Sequence, residues 1–343
     1  MECIMAKILN KNLNKAKSIK NDEFYTQISD IEKELKNYKK HFKNAVVFCN
    51  CDDPEWSNFW RYFHLNFEFL GLKKLITTHY DPCEPTYKME YEGGNDNDIS
   101  DGIITPLKTN GDFRSPECIE LLKQADIVVT NPPFSIAREF YIPLLFEYNK
   151  KFIVIGDLGW VTYKYIFPLF KSNKMWLGYN SIKEFKQPDN TFKKFGNKLW
   201  FTNLDIIKRH EKLELWQKYS SDKYPRYHNY DAIEVSKVID IPMDYDGIMG
   251  VPISFMNNYN PEQFEIVGTV SASSDPDTLN LGNDYSKFIG FNQDGTRNGR
   301  TGSTFGKCPV LIRDDKKHPY YEYENIRVQA TYPRIFIKLK ESK

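Results

Sequence analysis

Four consecutive residues, Asn131-Pro132-Pro133-Phe134, place an amide, two donor-free imino acids and an aromatic ring side by side. That combination suits chemistry on a planar amino group, above all the exocyclic amine of adenine. Such a nitrogen is a poor nucleophile because its lone pair is conjugated with the ring. Two acceptors aimed at its two hydrogens draw it toward tetrahedral geometry and free the lone pair to attack a methyl group. The Asn131 side-chain oxygen is one acceptor; the Pro132 backbone carbonyl is the other. Prolines fix φ and carry no N–H, so the loop presents a carbonyl without a competing donor. Phe134 can stack on the base, a contact worth ~1–3 kcal/mol by alanine substitution. Positioning and hydrogen bonding carry this kind of catalysis, with no cysteine nucleophile. Asn-Pro also opens ordinary turns, and Phe134 could be core. A chance NPPF in a chain of this size has odds on the order of one in a thousand.

These residues need a scaffold. The apolar run Ile127-Val128-Val129-Thr130 before them and the apolar-periodic stretch Ser135 to Tyr148 after them predict a buried strand, a turn and a helix. The carboxyl end of a strand is where open α/β sheets bind ligands. Upstream, Ser29 and Glu32 read as a capping box opening a helix to about His41. Strands are expected at Ala45 to Asn50 and Lys74 to Thr78, with a helix of Phe59, Trp60, Phe63, Phe67 and Leu70 spacing between them. Residues 81–110 read as an insertion or flexible loop. Ser115-Pro116 starts a helix ending near Ala125. Phe152 to Gly156 is a buried strand, Tyr163 to Phe170 a helix, and Met175 to Tyr179 with Leu199 to Leu204 an antiparallel pair. The alternation predicts an α/β domain with a mainly parallel sheet covered by helices on both faces. After Asp205 prolines and glycines break the periodicity. No internal repeat is visible.

A methyl donor must lie beside the NPPF loop, and S-adenosylmethionine (SAM) is the candidate. The first strand ends in Asn50-Cys51-Asp52-Asp53, where a glycine-rich turn would be usual. Asp52 and Asp53 can engage the donor's amino group. Asp81, after the second strand, can accept ribose hydroxyls. Asp112 can accept from the cofactor's adenine amine while Phe113 packs its ring. Asp22, Phe24, Tyr25 and Thr26 form an aromatic-bearing segment in a polar tail, which docking across the sheet end would explain. Pro133 is grouped with these cofactor contacts.

The 343 residues are enough for one large core plus a second domain. A net charge of +1 means that affinity for nucleic acid must come from local patches. Candidates are Arg297 and Arg300 in a Gly- and Asn-rich loop, which can reach a guanine edge or the backbone, together with Lys183 and Lys193. The first residues are locally basic at Lys7, Lys11, Lys15, Lys17 and Lys20, as a phosphate-contacting arm or a frayed terminus would be. No stretch of 18 apolar residues or signal core is present, so a cytoplasmic protein is expected. The six cysteines lack CxxC spacing and read as reduced thiols, with no metal site expected.

Taken in order, residues 22–27 (DEFYTQ), 49–54 (CNCDDP), 111–115 (GDFRS), 126–135 (DIVVTNPPFS), 200–205 (WFTNLD) and 229–238 (NYDAIEVSKV) resemble the EcoRI-type adenine-specific DNA methyltransferases over nearly the whole chain. NPPF is shared by many amino-methylases; CNCDDP with DEFYTQ is far more specific. The missing glycines are then a family trait. The resemblance implies a Rossmann-like SAM-dependent methyltransferase fold with seven strands, SAM bound with help from Tyr25 and Thr26, and a C-terminal target-recognition region. It divides the chain into a basic arm (1–21), a catalytic domain (22–205) and a DNA target-recognition region (206–343). It implies duplex DNA as substrate, a cognate restriction endonuclease as functional partner, and a monomer. Met5-Ala6-Lys7 resembles a family start, which makes Met1 to Ile4 an upstream extension. Two rival readings remain in view. One methylates ribosomal RNA adenine or a protein glutamine amide, although such enzymes place recognition before the SAM domain. The other is a non-catalytic DNA-binding module.

Overall fold

The computed structural model describes residues 25–81, 85–187, 190–270, 279, 285–305, 308–312 and 318–340. The basic arm 1–21, Asp22 and Phe24 lie outside the described residues, as do parts of the region after 270. The chain divides into two compact units. One combines the described residues up to Leu158 with Met175–Ile206; the other combines Gly159–Lys174 with the residues from Ile207 onward.

The first unit is built on one mixed sheet. Its strands are β1 (Val46–Cys49), β2 (Lys74–His79), β3 (Tyr87–Tyr91), β4 (Ile103–Pro106), β5 (Ile127–Thr130), β6 (Lys151–Asp157), β7 (Trp176–Lys186) and β8 (Phe192–Thr202), in the order β4-β3-β2-β1-β5-β6-β8-β7. β2, β1, β5 and β6 run parallel. The flanking strands pair antiparallel. The observed sheet is therefore eight-stranded and mixed, where a seven-stranded, mainly parallel one was expected. The reason is connection length. Only residues 80–86 separate β2 from β3, too few for a crossover, so the chain must turn back antiparallel.

The helices that matter for the site are α1 (Ile28–Leu35), α2 (Asn58–Leu65), α3 (Pro116–Gln124) and α4 (Ile142–Glu147). Ser115 caps α3 as expected, its hydroxyl accepting from Cys118 N at 3.3 Å with Pro116 in the first turn. Ser57 caps α2 by accepting from Phe59 N. The capping box expected at Ser29 does not form. α1 begins two residues earlier, with Gln27 at the N-cap position, which puts Ser29 inside the first turn. Residues 81–110 are not simply a loop, because β3 and β4 extend the sheet. β4 carries no burial pattern at all, which is why its sequence reads as loop. The helix expected from Ser135 to Tyr148 is broken. A short turn at Phe134–Ile136 passes into a π-turn at Ala137–Tyr141 before α4 resumes. Pro143 cannot donate to the carbonyl four residues back, so the ladder must rearrange there.

In the second unit the strands are short. β9 (Ile233–Glu234), β10 (Met249–Pro252), β11 (Phe264–Thr269) and β17 (Arg334–Leu339) form a four-stranded sheet in the order β11-β17-β10-β9. β12 (Ile289–Phe291), β13 (Arg297–Thr301), β14 (Val310–Ile312), β15 (Tyr320–Tyr323) and β16 (Ile326–Ala330) form a five-stranded one in the order β13-β12-β15-β16-β14. A buried ion pair joins β9 to β17: Arg334 Nε donates to Glu234 Oε2 at 3.0 Å, and the Tyr227 hydroxyl donates to the same carboxylate. The Gly- and Asn-rich stretch forms the β12–β13 hairpin.

One buried carboxylate fixes α1 to the sheet. β7 bulges where its register with β8 shifts between Leu177 and Ser181, freeing backbone N–H groups from the ladder. Glu34 of α1, fully buried, accepts from Tyr179 N at 2.8 Å, Asn180 N at 2.8 Å and the Tyr38 hydroxyl at 2.8 Å. Gly178 makes room for it, since a Cβ there would lie 2.2 Å from Glu34 Oε1. Removing the acceptor strands buried donors at ~1–3 kcal/mol each. We expect Glu34→Ala to lower unfolding stability by roughly 3 kcal/mol and Glu34→Gln by less, read from urea denaturation. An alanine variant as stable as the parent would show that water replaces the carboxylate.

Candidate active site

The chain reverses direction across the sheet between β1 and β5. From β1 it first builds outward to β2, then returns to the other side of β1 as β5 and β6. The crevice outside the carboxyl ends of such a pair is the ligand-binding position of open α/β folds. Both sequence-predicted loops emerge there: Asn50 to Asp53 from β1, and Asn131 to Phe134 from β5.

A set of hydrogen bonds ties these loops together. Asp52 is buried, and its Oδ2 accepts from the Thr130 hydroxyl and from the Asn131 backbone N–H at 3.3 Å. Its Oδ1 accepts from Ser57 Oγ at 2.9 Å, at the start of α2. The Thr130 hydroxyl oxygen in turn accepts from Cys51 N at 3.3 Å, and the Thr77 hydroxyl donates to the Asp52 carbonyl. Burial pushes the Asp52 carboxyl up to about 7, against the pull of Thr130, Ser57 and the Asn131 amide. The neighbouring thiols of Cys49 and Cys51 are pushed well above their usual range by burial.

Asn131, Pro133 and Phe134 are half-buried, and Pro132 is buried. The Pro133 carbonyl accepts from Ile136 N and Ala137 N, starting the next turn. The Pro132 carbonyl accepts none of the hydrogen bonds among the described residues. The Phe134 ring meets Phe185 edge-on at 6.1 Å and carries Lys198 Nζ 3.9 Å from its centroid.

The other expected cofactor residues surround the same strand ends. Tyr25 bridges to Lys186 at the end of β7, exchanging backbone hydrogen bonds of 2.8 and 3.0 Å. The Thr26 carbonyl accepts from Asn58 Nδ2 at 2.8 Å. Asn50 is buried, and its Oδ1 accepts from the Tyr141 hydroxyl in the π-turn. Asp53 pairs with His79 at the end of β2. Asp81 is half-buried just beyond β2. Asp112 is held by a two-point contact from Arg114, at 2.9 Å from Nε and 2.7 Å from Nη2. Phe113 is buried edge-on against Tyr141 at 5.2 Å. Gly111 has φ +71° and lets this loop approach β2 so closely that a Cβ would lie 2.3 Å from the His79 carbonyl. Two buried polar atoms in this set, Thr26 Oγ1 and Asn50 Nδ2, have no hydrogen-bond partner among the described residues. A buried donor and hydroxyl left in this state are what a polar ligand would satisfy.

Residues 12–340 match the family described as adenine-specific methyltransferase EcoRI. The chain belongs to that family. It is 46% identical over 291 residues to the type II methyltransferase M.EcoRI of Escherichia coli, a match covering 75% of this chain and 89% of that protein. It is 42% identical over 309 residues to the type II methyltransferase M.MgeORF184P of Mycoplasma genitalium, covering 84% and 94%. Against the type II methyltransferase M.MpnI of Mycoplasma pneumoniae it is 41% identical over 275 residues, covering 74% and 84%. No solved structure matches the chain significantly.

The candidate DNA-contacting residues of this methyltransferase fall in both units. Lys183 on β7 and Lys193 on β8 are exposed on that long hairpin of the first unit, while Arg297 and Arg300 are exposed on β13 of the second. Among the described residues no helix is long and apolar enough to cross a membrane. The sequence reading missed Thr130, Tyr141, Ser57, His79 and Lys198. Their hydroxyl, imidazole and ammonium groups carry no motif; only the pairing of strands brings them to the loops. Thr130 alone had a visible signal, as the polar residue ending an apolar strand.

An unfolded Asp titrates near ~3.9, and Asp52 in the fold near about 7. Folding therefore takes up a proton between these values. The associated stability is fully present below the lower value and is lost as pH rises through the upper one. Asp52→Asn removes this titration. We expect the melting temperature of the variant, relative to the parent, to rise between pH 5 and pH 8. A pH-independent offset would show that Asp52 is ionised throughout.

Proposed function

We propose that this chain methylates the N6 amine of an adenine flipped out of duplex DNA, as the modification enzyme of a restriction–modification system. The observation that carries the reading is the NPPF loop at the carboxyl end of β5, tied through Asp52 to the loop after β1. Adenine-specific transfer is the activity of the family, and a transferase needs a methyl donor. S-adenosylmethionine is the donor we assign, and when bound it supplies an electrophilic methyl group on sulfonium sulfur. Tyr25, Thr26, Asn50 to Asp53, Asp81, Asp112, Phe113 and Pro133 would hold it. The unpartnered Thr26 Oγ1 and Asn50 Nδ2 support that fit. Asp22 and Phe24 belong to the same assignment.

The chain's own residues then divide the work. Asn131 Oδ1 and the Pro132 carbonyl accept from the two N6 hydrogens and turn the amine's lone pair toward the methyl group. Phe134 stacks on the extruded base and offsets part of the few kcal/mol that flipping costs. Asp52 holds the Asn131 amide without touching substrate. Residues 206–343 are assigned to target recognition, with Arg297, Arg300, Lys183 and Lys193 as exposed contacts to phosphate or base edges. Residues 1–21 are assigned as a basic arm. We assign the enzyme as a cytoplasmic monomer with a cognate endonuclease as its functional counterpart.

Transfer of tritium from labelled SAM to duplex DNA, but not to RNA or protein, is the deciding assay. In it we expect Asn131→Ala to lower turnover by at least about 10²–10³-fold, the scale of losing one positioned acceptor, while SAM still binds in equilibrium dialysis. Near-parental turnover by this variant would remove Asn131 from the mechanism.

A further inference from the structure

Lys198 is the least expected residue in the first unit. It lies on β8, directly opposite Asp157 on β6, and its side chain is almost fully buried. Lysine is among the residues least often buried unless paired. Its ammonium lies 3.2 Å from Asp157 Oδ2. Asn197 Nδ2 donates to the same oxygen at 2.6 Å and holds the carboxylate in place. On its other side the ammonium sits 3.9 Å from the centroid of Phe134 and 5.2 Å from that of Phe195. Phe185 meets both rings edge-on, at 6.1 Å from Phe134 and 5.6 Å from Phe195.

A cation on a ring face is attracted by the ring's quadrupole, most strongly where both are shielded from water. It therefore restricts the tilt of Phe134, which is otherwise only half-buried. It also draws π density toward itself, leaving the opposite face less negative and better matched to an electron-rich purine. We propose that Lys198, anchored by Asp157, is a positioning residue for the target base: it fixes Phe134 from one face so that the other receives the adenine. This rests on the assignment of Phe134 as the stacking ring.

The test uses the full-length enzyme and a duplex carrying 2-aminopurine at the methylated adenine, a position read from methylation-aware sequencing of DNA from expressing cells. The fluorescence of 2-aminopurine rises when the base leaves the stack, so it reports extrusion directly. We expect Lys198→Met to lower turnover roughly ten- to thirty-fold. We also expect it to lower the 2-aminopurine emission of the enzyme–DNA complex while SAM affinity is unchanged. Lys198→Arg, which keeps a cation over the ring, should recover most of both signals. Asp157→Asn should reproduce the methionine effect in weaker form and serves if that variant does not fold. Emission that rises in Lys198→Met would show that the ammonium occupies the base's own face, which overturns the proposal. So would losses that arginine does not rescue and that track melting temperature alone. A parent enzyme that transfers no methyl group to the duplex would refute the assigned function instead, whereas an active parent with unaffected Lys198 variants would refute only this inference.

Discussion

The architecture of the site depends on one buried carboxylate. Asp52 leaves the carboxyl end of β1 and accepts from the Thr130 hydroxyl and the Asn131 amide at the carboxyl end of β5. β1 and β5 are neighbouring parallel strands, so their loops would emerge side by side in any case. Adjacency alone leaves each loop free to move. The carboxylate converts two adjacent loops into one rigid piece, and Ser57 extends that piece to the start of α2. An isolated buried charge is costly, which is why burial pushes its pKa up. The three donors compensate in part, and they do so only in the geometry that places Asn131.

The same device recurs around the crevice. Glu34 catches the unpaired amides of the β7 bulge and so seats α1, with Tyr25 and Thr26 immediately before it. Asp112 is closed by Arg114 within its own loop. Asp53 is matched to His79, and Asp157 to Lys198. Each of these carboxylates sits where a loop, bulge or strand end must be held. Backbone that cannot be pinned by ladder hydrogen bonds is pinned by side chains, as buried polar groups require.

How far this was legible in the sequence follows from the physics of each element. β1, β2, β5 and β6 were readable because central parallel strands are continuous apolar runs. The NPPF loop was readable as a turn because Asn-Pro-Pro directly follows a continuous apolar run. β4 was not, because an edge strand with every residue exposed has no alternation to detect. The break at Pro143 was foreseeable in kind, yet the periodic apolar residues around it masked it. Asp52 drew notice in the sequence as a donor contact, but its hydrogen bonds to Thr130, Asn131 and Ser57 were not visible there. Its partners lie up to 79 positions away, and no local pattern announces a pairing that only sheet order creates. Lys198 was unreadable for the same reason, since a lone lysine in a strand ordinarily faces water.

These committed carboxylates also explain why the proposed amine acceptors are neutral. An ionised carboxylate aimed at N6 would have to be stripped of water each time a base entered, and it would compete for the donors that rigidify the loop. The Asn131 amide and the Pro132 carbonyl carry dipoles already held by a proline-stiffened backbone. Little reorganisation is then needed as positive charge develops on nitrogen during transfer, and preorganised dipoles are the economical way to stabilise such charge. At the proposed amine-binding loop Asp52 holds the frame, and the uncharged Asn131 and Pro132 meet the amine. A loop divided in this way loses activity through its neutral residues and loses geometry through its carboxylate.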